Sequence, residues 1–345
     1  MEKTVLVTGA GGYIGSVLVH KLLEHGYCVK AVDRYFFGKD KVKPHPKLEM
    51  VQEDCRRMKE VVFENVDAVI DLVAISNDPI GELFKDITYE INYLSRVNTA
   101  KMAKEQGVKQ YILPSSCSIY GFQEKHVIVD EKFSTNPLTT YAKANEKAEQ
   151  EILPLADDNY IVTILRQATV FGVSPRMRFD LAVNGMTHGA WKNGVIPLMR
   201  DGFQWRPMAH VQDVTDVMVL LLNTHAQLIN GEIFNVGANE NNYQLEQLAK
   251  EIIEAVSHDV SIEWYGDPDH RSYRVNFDKI ENTLGWKAKW DVYAGAKEVF
   301  NALETGQINN TNENITLNWY KELIKWHRII KEVELYGGIL EIDKD

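Results

Sequence analysis

The stretch from Thr4 to Asp33 constrains the fold of this chain more than any other. Val5, Leu6 and Val7 form a continuous apolar run too short for a helix, as in a strand buried on both faces of a parallel sheet. Gly9, Gly12 and Gly15 follow, and then Ile14, Val17, Leu18 and Leu22 recur at helical spacing until Gly26 stops the helix. Glycines between a buried strand and a helix N-terminus leave backbone N–H groups facing outward, with the positive end of the helix dipole behind them. No side chain then blocks the approach of a pyrophosphate. A second strand, Cys28 to Asp33, ends on a carboxylate about 20 residues further on, where it accepts hydrogen bonds from an adenosine ribose and repels a 2′-phosphate. NAD is therefore expected over NADP, with Arg34 next to Asp33 opposing that preference.

Beyond Asp33, residues 34–47 read as a loop rich in Lys, Gly and Pro, and Leu48 to Gln52 as a short third strand. Asp67 to Ala74 reads as a fourth strand, followed by a long helix from about Ile87 to Gln106 that Gly107 closes. A fifth strand begins at Gln110 and leads into Ser115-Ser116-Cys117-Ser118-Ile119-Tyr120-Gly121. A helix carrying Tyr141 starts near Thr139, Ile161 to Leu165 is a sixth strand, and Glu232 to Val236 a seventh. Strands alternating with helices imply an α/β fold of Rossmann type, a doubly wound parallel sheet with right-handed crossovers and ligands beyond the C-terminal strand ends. From Gly172 the alternation breaks, and residues 173–207 and 241 onward read as irregular, carrying Arg176, Arg178, Arg206, Arg271 and Arg274. The expected division is a cofactor-binding domain of residues 1–172 and 208–240, with a smaller mixed substrate-binding domain of residues 173–207 and 241–345. Near the C-terminus, Asn314 to Tyr336 reads as one more helix with Trp319, Leu323, Trp326, Ile330 and Val333 on one stripe, suited to packing or to a dimer contact.

A net charge of −11 argues against nucleic acid or an anionic membrane as partner, while a local arginine cluster still suits an anionic substrate. Cys28, Cys55 and Cys117 show no paired spacing, and the ten histidines form no HxxxH pair, so neither a disulfide framework nor a metal site is indicated. Without a membrane-length apolar run or a leader-like N-terminus, a cytoplasmic enzyme is the default expectation.

With two residues between each pair of glycines, the turn resembles that of the extended short-chain dehydrogenase/reductases, the branch containing nucleotide-sugar epimerases and dehydratases. The resemblance runs from Lys3 to about Trp290. It implies NAD as cofactor, a nucleotide sugar as substrate and a homodimer as assembly. It places Gly9, Gly12, Tyr13, Ile14, Gly15, Asp33 and Arg34 at the cofactor, with Asp54 on the adenine amino group and Cys55 beside it. It also lets the backbone of Val73 and Ala74 lie against the cofactor, and makes Asn92 a brace for the active-site strand.

In that family a Tyr removes the proton of a sugar hydroxyl, assisted by a Ser or Thr and by a Lys four residues after the Tyr. Ser116 and Tyr141 match the first two, but the segment Tyr141-Ala-Lys143-Ala-Asn145-Glu-Lys147 puts Asn145 where the lysine belongs. Positions i and i+4 share a helix face, so neither Lys143 nor Lys147 replaces it, and Glu149 holds the alignment in register. Asn145 is suited to bond the nicotinamide ribose but lends no charge. Tyr141 is then a weaker base near neutral pH unless the nicotinamide cation or a lysine from elsewhere compensates. The family's 4,6-dehydratases carry an Asp-Glu pair directly after the Ser/Thr; here Cys117 and Ser118 stand there, which disfavours dehydration. On the substrate side the resemblance points to Arg206 and Arg271 for the pyrophosphate, with Cys117, Ser118, Thr169 (where the family commonly has Asn), Arg178 and Asn184 as further contacts. The expected function is NAD-dependent oxidation and epimerisation at the sugar 4-hydroxyl. The alternatives are a 4-dehydrogenase or 4-keto reductase, or a non-catalytic NAD-binding protein.

Overall fold

A computed structural model describes residues 2–335 apart from 77, 125, 257–258 and 268–270. Seven strands form one parallel sheet: β1 (Thr4–Thr8), β2 (Cys28–Asp33), β3 (Leu48–Gln52), β4 (Ala68–Asp71), β5 (Gln110–Ser116), β6 (Ile161–Gln167) and β7 (Glu232–Val236). Their order is β7-β6-β5-β4-β1-β2-β3, so the winding reverses between β1 and β4 and opens a crevice at the C-terminal strand ends there. The helices that matter below are α1 (Tyr13–Glu24), α2 (Arg96–Glu105), α3 (Thr140–Ile152), α4 (Ala182–Asn193), α5 (Val211–Leu221), α6 (Leu245–Ala255), α7 (Val292–Glu304) and α8 (Thr316–Val333).

The two faces of the sheet bury separate cores. Leu18 and Leu22 of α1 pack with Val214, Val217 and Met218 of α5 on one side. Val97, Ala100 and Ala103 of α2 pack with Ala148 and Ile152 of α3 on the other. Each helix supplies one apolar stripe, and the strands between them are apolar on both faces, as a parallel sheet covered on both sides requires. A third core lies outside the sheet, where α4, α6 and α7 surround Ile196 and Leu198 of the strand Val195–Met199.

Several elements differ from the sequence expectation. The fourth strand ends at Asp71, so Val73 and Ala74 belong to the loop beyond it. The long helix starts at Lys85 and contains a π segment, Glu90–Ser95, immediately before α2. An i→i+5 turn leaves no mark on apolar periodicity, and such turns gather at functional sites. Residues 173–207 and 241 onward are far from irregular: they hold α4, α6 and α7, the strand Val195–Met199 and the strand Trp205–His210. In α4, Gly185 and Gly189 look like breakers, yet a Cβ on Gly189 would stand 2.6 Å from the Val195 carbonyl oxygen, so the glycine permits close helix–strand contact. The strand Trp205–His210 runs across the division expected at 207/208 and pairs in parallel with Thr169–Phe171. The terminal helix covers Thr316–Val333; its expected end at Tyr336 lies outside the described residues.

One buried ion pair locks α3 to the sheet. Arg166 of β6 donates from Nη2 to Glu149 Oε2 at 2.8 Å and from Nε at 3.0 Å, and Ser115 of β5 donates to Glu149 Oε1. Arg166→Met would leave the Glu149 carboxylate buried without its cation, which costs about 3–5 kcal/mol. The measurement is the urea midpoint at constant m-value, and a change below about 1 kcal/mol would show that water enters the site instead.

Candidate functional site

The glycine turn is built for close backbone approach. Gly9 sits at φ 65°, and a Cβ there would meet the Leu72 carbonyl carbon and the Val73 nitrogen at 2.9 Å. A Cβ on Gly15 would lie 2.1 Å from Gly9 O, so only glycine lets α1 start this close to the end of β1. Asp33 closes the adjacent strand and accepts from Gly11 N at 3.0 Å and from Tyr35 N at 2.6 Å. Burial raises its pKa, and these backbone donors oppose the rise. Arg34 turns away from Asp33: its Nη1 donates to Asp54 Oδ2 at 3.0 Å, and its guanidinium covers the Phe36 ring. Asp54 also accepts from Arg56, which holds its carboxyl down at about 2, and it caps the short helix Cys55–Arg57 through Arg56 N.

All of these residues open onto one cleft of about 840 Å³. Gly9, Gly12, Tyr13, Ile14, Gly15, Asp33, Arg34, Asp54, Cys55, Val73 and Ala74 line one end, and Ser116, Ser118, Tyr141, Thr169, Arg178, Arg206 and Arg271 line the other.

Tyr141 is placed in the first turn of α3, which Thr139 caps by accepting from Ala142 N at 3.2 Å. The short helix Asp78–Leu83 clamps that turn: Glu82 accepts from Thr140 N at 2.7 Å, and Asp78 accepts from the Thr139 hydroxyl. Gly81 there faces Tyr141 Cβ, with room for no side chain of its own beyond a 3.3 Å contact. Burial raises the Tyr141 pKa; Arg96 is the main charge pulling it down, Asp78 pushes it up, and the neighbouring Asn145 and Ser116 side chains favour the phenolate.

Arg96 escaped the sequence reading. It is 1% exposed, and its Nη1 donates to Asn145 Oδ1 at 2.9 Å. A cation from a different helix therefore lies against Asn145, at the position where the sequence lacks the lysine. Its sequence signal was an arginine four residues after Asn92, on a helix face otherwise committed to the core.

Four expected site residues do not line the cleft: Cys117, Asn184, Asn92 and Asn145, the last of them 1% exposed. Cys117 is buried beneath it, with Sγ donating to Arg166 O at 3.2 Å and burial pushing the thiol well up. Asn184 spends its amide on the scaffold: Oδ1 accepts from Gly172 N at 2.9 Å, and Nδ2 donates to Tyr13 Oη at 3.1 Å and Arg178 O at 3.0 Å. Asn92 braces the segment after β4 rather than the β5 strand, exchanging bonds of 2.8 and 2.9 Å with Ile75 N and O. Among the arginines, Arg178 is held by Asp180 and Ser76, Arg271 pairs with Asp78, and Arg274 stacks over Trp205 away from the cleft. Arg176 lies over the Phe37 ring at 3.7 Å and donates to Thr316 at 2.8 Å; burial pushes it down to about 10.

The stripe expected on the terminal helix divides in two. Trp319 donates to Phe36 O at 2.6 Å, and Tyr320, Leu323 and Ile324 close the adenosine end of the cleft, whereas Trp326 and Val333 stay exposed. That end would meet a dinucleotide at two places the residues already fit: a glycine turn no Cβ could occupy and a carboxylate at the ribose position.

Because Asp54 occupies Arg34, the Asp33 charge should dominate at the ribose. NAD is expected to bind at least tenfold more tightly than NADP, about 1.4 kcal/mol, and Asp33→Asn should remove most of that gap. Calorimetric titration of both dinucleotides into both proteins measures it; equal affinities for the parent would mean that Arg34 leaves Asp54 for the 2′-phosphate.

Known proteins resemble this chain in sequence and in fold. A sequence model described as the NAD dependent epimerase/dehydratase family matches residues 5–237. A putative UDP-glucose 4-epimerase of Methanocaldococcus jannaschii is 28% identical over 86% of this chain and 97% of its own length. UDP-glucuronic acid decarboxylase 6 of Arabidopsis thaliana is 27% identical over 83% of this chain and 84% of its own. The solved UDP-glucose 4-epimerase of Thermotoga maritima, with UDP-glucose, superposes with a TM-score of 0.77 at 23% identity over 88% of this chain and all of that one. Matched across two-thirds of its length by the family pattern, with NAD as the cofactor its cleft fits, the chain belongs to the NAD dependent epimerase/dehydratase family.

Proposed function

We propose that this enzyme oxidises the 4-hydroxyl of a nucleotide-activated sugar and, in its full cycle, returns the hydride to the opposite face, acting as a 4-epimerase. The observation that carries this reading is the meeting of Ser116 and Tyr141 on one wall of the cleft that the glycine turn opens, with the buried Asn145 one turn further along the Tyr141 helix. Tyr141 accepts the hydroxyl proton, and Ser116, whose Oγ is fixed by Ser118 N at 3.1 Å, orients the hydroxyl. NAD, when bound, supplies the hydride acceptor. Arg206 and Arg271 both line the cleft, where they suit a pyrophosphate; Arg206 donates to the Arg271 carbonyl, which ties its guanidinium to the Arg271 backbone.

Dehydration needs a second acid–base pair beside the oxidised carbon. Cys117 supports no such role, since its thiol is buried and bonded to a carbonyl, and Ser118 carries no charge. Relatives include both 4-epimerases and decarboxylases of UDP-glucuronic acid, and oxidation at C4 suits either outcome. The sugar's fate after that step separates them.

Incubation with a panel of UDP- and dTDP-sugars, followed by NMR and mass analysis, tests the reading. An epimer of unchanged mass is expected; loss of water or of carbon dioxide would replace epimerisation with dehydration or decarboxylation. Tyr141→Phe should lower kcat by about 100- to 10,000-fold, the range of a positioned general base. NAD affinity should change little, because the phenol acts on the hydroxyl. A Tyr141→Phe enzyme with near-parent kcat would exclude Tyr141 as the base.

A further inference from the structure

Arg96 occupies an unusual position for a buried arginine. Its guanidinium lies where the C-terminal ends of β4 and β5 meet α3, just past the π segment that precedes α2. One Nη2 donates to the carbonyls of Asp71, at 2.9 Å, and Pro114. Nη1 donates to Asn145 Oδ1 at 2.9 Å. A buried cation ordinarily survives by direct pairing with a carboxylate. Here the Asp71 carboxylate stands off, 4.0 Å from Nε, because Thr8 donates to one of its oxygens at 2.5 Å and Tyr111 donates to the other. The counter-charge is close enough to make burial tolerable and offsets part of the Arg96 charge, while Nη1 stays bonded to Asn145.

The hydrogen-bond chemistry then fixes Asn145. An arginine only donates, so the Asn145 amide must turn its oxygen toward Arg96 and its NH2 group away. That Nδ2 is buried without a protein partner, on the helix face it shares with Tyr141. A donor held there by a cation reproduces what a lysine four residues after the base would offer: a hydrogen bond at one end and a positive charge behind it.

We propose that Arg96 is a positioning residue that fixes Asn145 and supplies the positive charge under which Tyr141 ionises, so that Arg96 and Asn145 together replace a lysine at position 145. The proposal rests on Tyr141 being the base. Three charged groups face Tyr141: Arg96 from α2, Asp78 from the helix Asp78–Leu83, and Arg178 from across the cleft. Asp78 is engaged by Arg271 and Arg178 by Asp180, each in a contact ion pair. Arg96 and Asp71 stand further apart, at 4.0 Å, and among the charges Arg96 has the largest effect on Tyr141.

The sign follows directly. A cation favours the phenolate, so removing it raises the pH at which Tyr141 becomes a base, and the activity that needs the phenolate moves to higher pH. The experiment compares the parent with Arg96→Met, Arg96→Lys, Asn145→Lys and the double variant Arg96→Met/Asn145→Lys. Tyr141 ionisation is read without substrate, from 19F titration of 3-fluorotyrosine-labelled protein in the NAD complex, with Tyr141→Phe assigning the resonance. The pH profile of kcat/KM is measured beside it with one confirmed nucleotide sugar.

Arg96→Met should raise both midpoints by about 1–2 pH units and lower kcat/KM at pH 7 by about 10- to 100-fold. Arg96→Lys should keep the midpoint within about 0.5 unit by retaining the charge. Asn145→Lys alone sets two cations against each other and should lose activity, while the double variant should return the midpoint toward the parent value. If Arg96→Met fails to fold, the Arg96→Lys and double-variant midpoints still decide. An unshifted 19F midpoint in Arg96→Met, or a double variant no better than its components, would overturn the proposal. A shifted 19F midpoint without turnover on any nucleotide sugar would instead overturn the functional reading and leave the role of Arg96 standing.

Discussion

The close approach of Gly15 to the Gly9 carbonyl, which leaves no space for a Cβ, governs much of this structure. With a Cβ at residue 15 only 2.1 Å from that carbonyl, any other residue would push α1 away from the end of β1. Holding them together puts the helix N-terminus directly over the crevice between β1 and β4, where the sheet reverses its winding. Everything that follows uses that crevice. Asp33 arrives at its rim because β2 pairs with β1 in register from Cys28 to Val32. Val73 and Ala74 arrive because β4 pairs on the other side of β1.

Charge is distributed unevenly along the cleft. At the adenosine end the carboxylates dominate, with Asp33 raised by burial and Asp54 pulled down to about 2 by Arg56. Arg176 sits nearby between Phe37 and Thr316, and burial together with Arg178 lowers its pKa to about 10. At the sugar end the arginines are restrained: Arg178 by Asp180, Arg271 by Asp78, Arg206 by carbonyl oxygens. Such pairing fixes guanidinium orientation before any anion arrives, which reduces the ordering cost of binding. The terminal helix joins the two halves, since its first turns contact the loop after β2 through Trp319 and Tyr320.

The surroundings of Tyr141 depend on the meeting of three elements. β5 brings Ser116, α3 brings Tyr141 and Asn145, and α2 brings Arg96. The Glu149–Arg166 pair keeps α3 on the sheet, and Arg96 binds the ends of β4 and β5 to the same helix. Stability and chemistry are thus coupled: the groups that orient Tyr141 also hold the layers together.

Much of this was legible in the chain itself. The apolar triplet before Gly9, the glycine spacing and Asp33 determined a parallel sheet with a dinucleotide cleft, because strand burial and backbone approach depend on local sequence. Ser116 and Tyr141 were legible as a pair, and Asn145 as a departure. The role of Cys117 and Asn184 was not, since facing a cleft or facing the core depends on where a turn points, and both proved to be bonded inward. The glycines of α4 concealed a helix because close packing and helix breaking use the same residue. Above all, the sequence determined that a lysine was missing, and only the tertiary structure decided which cation lies against Asn145. Arg96 and Asn145 are 49 positions apart, joined across two layers by a π turn and a strand register that no local pattern encodes, and a guanidinium's reach is a fact of space rather than of spacing.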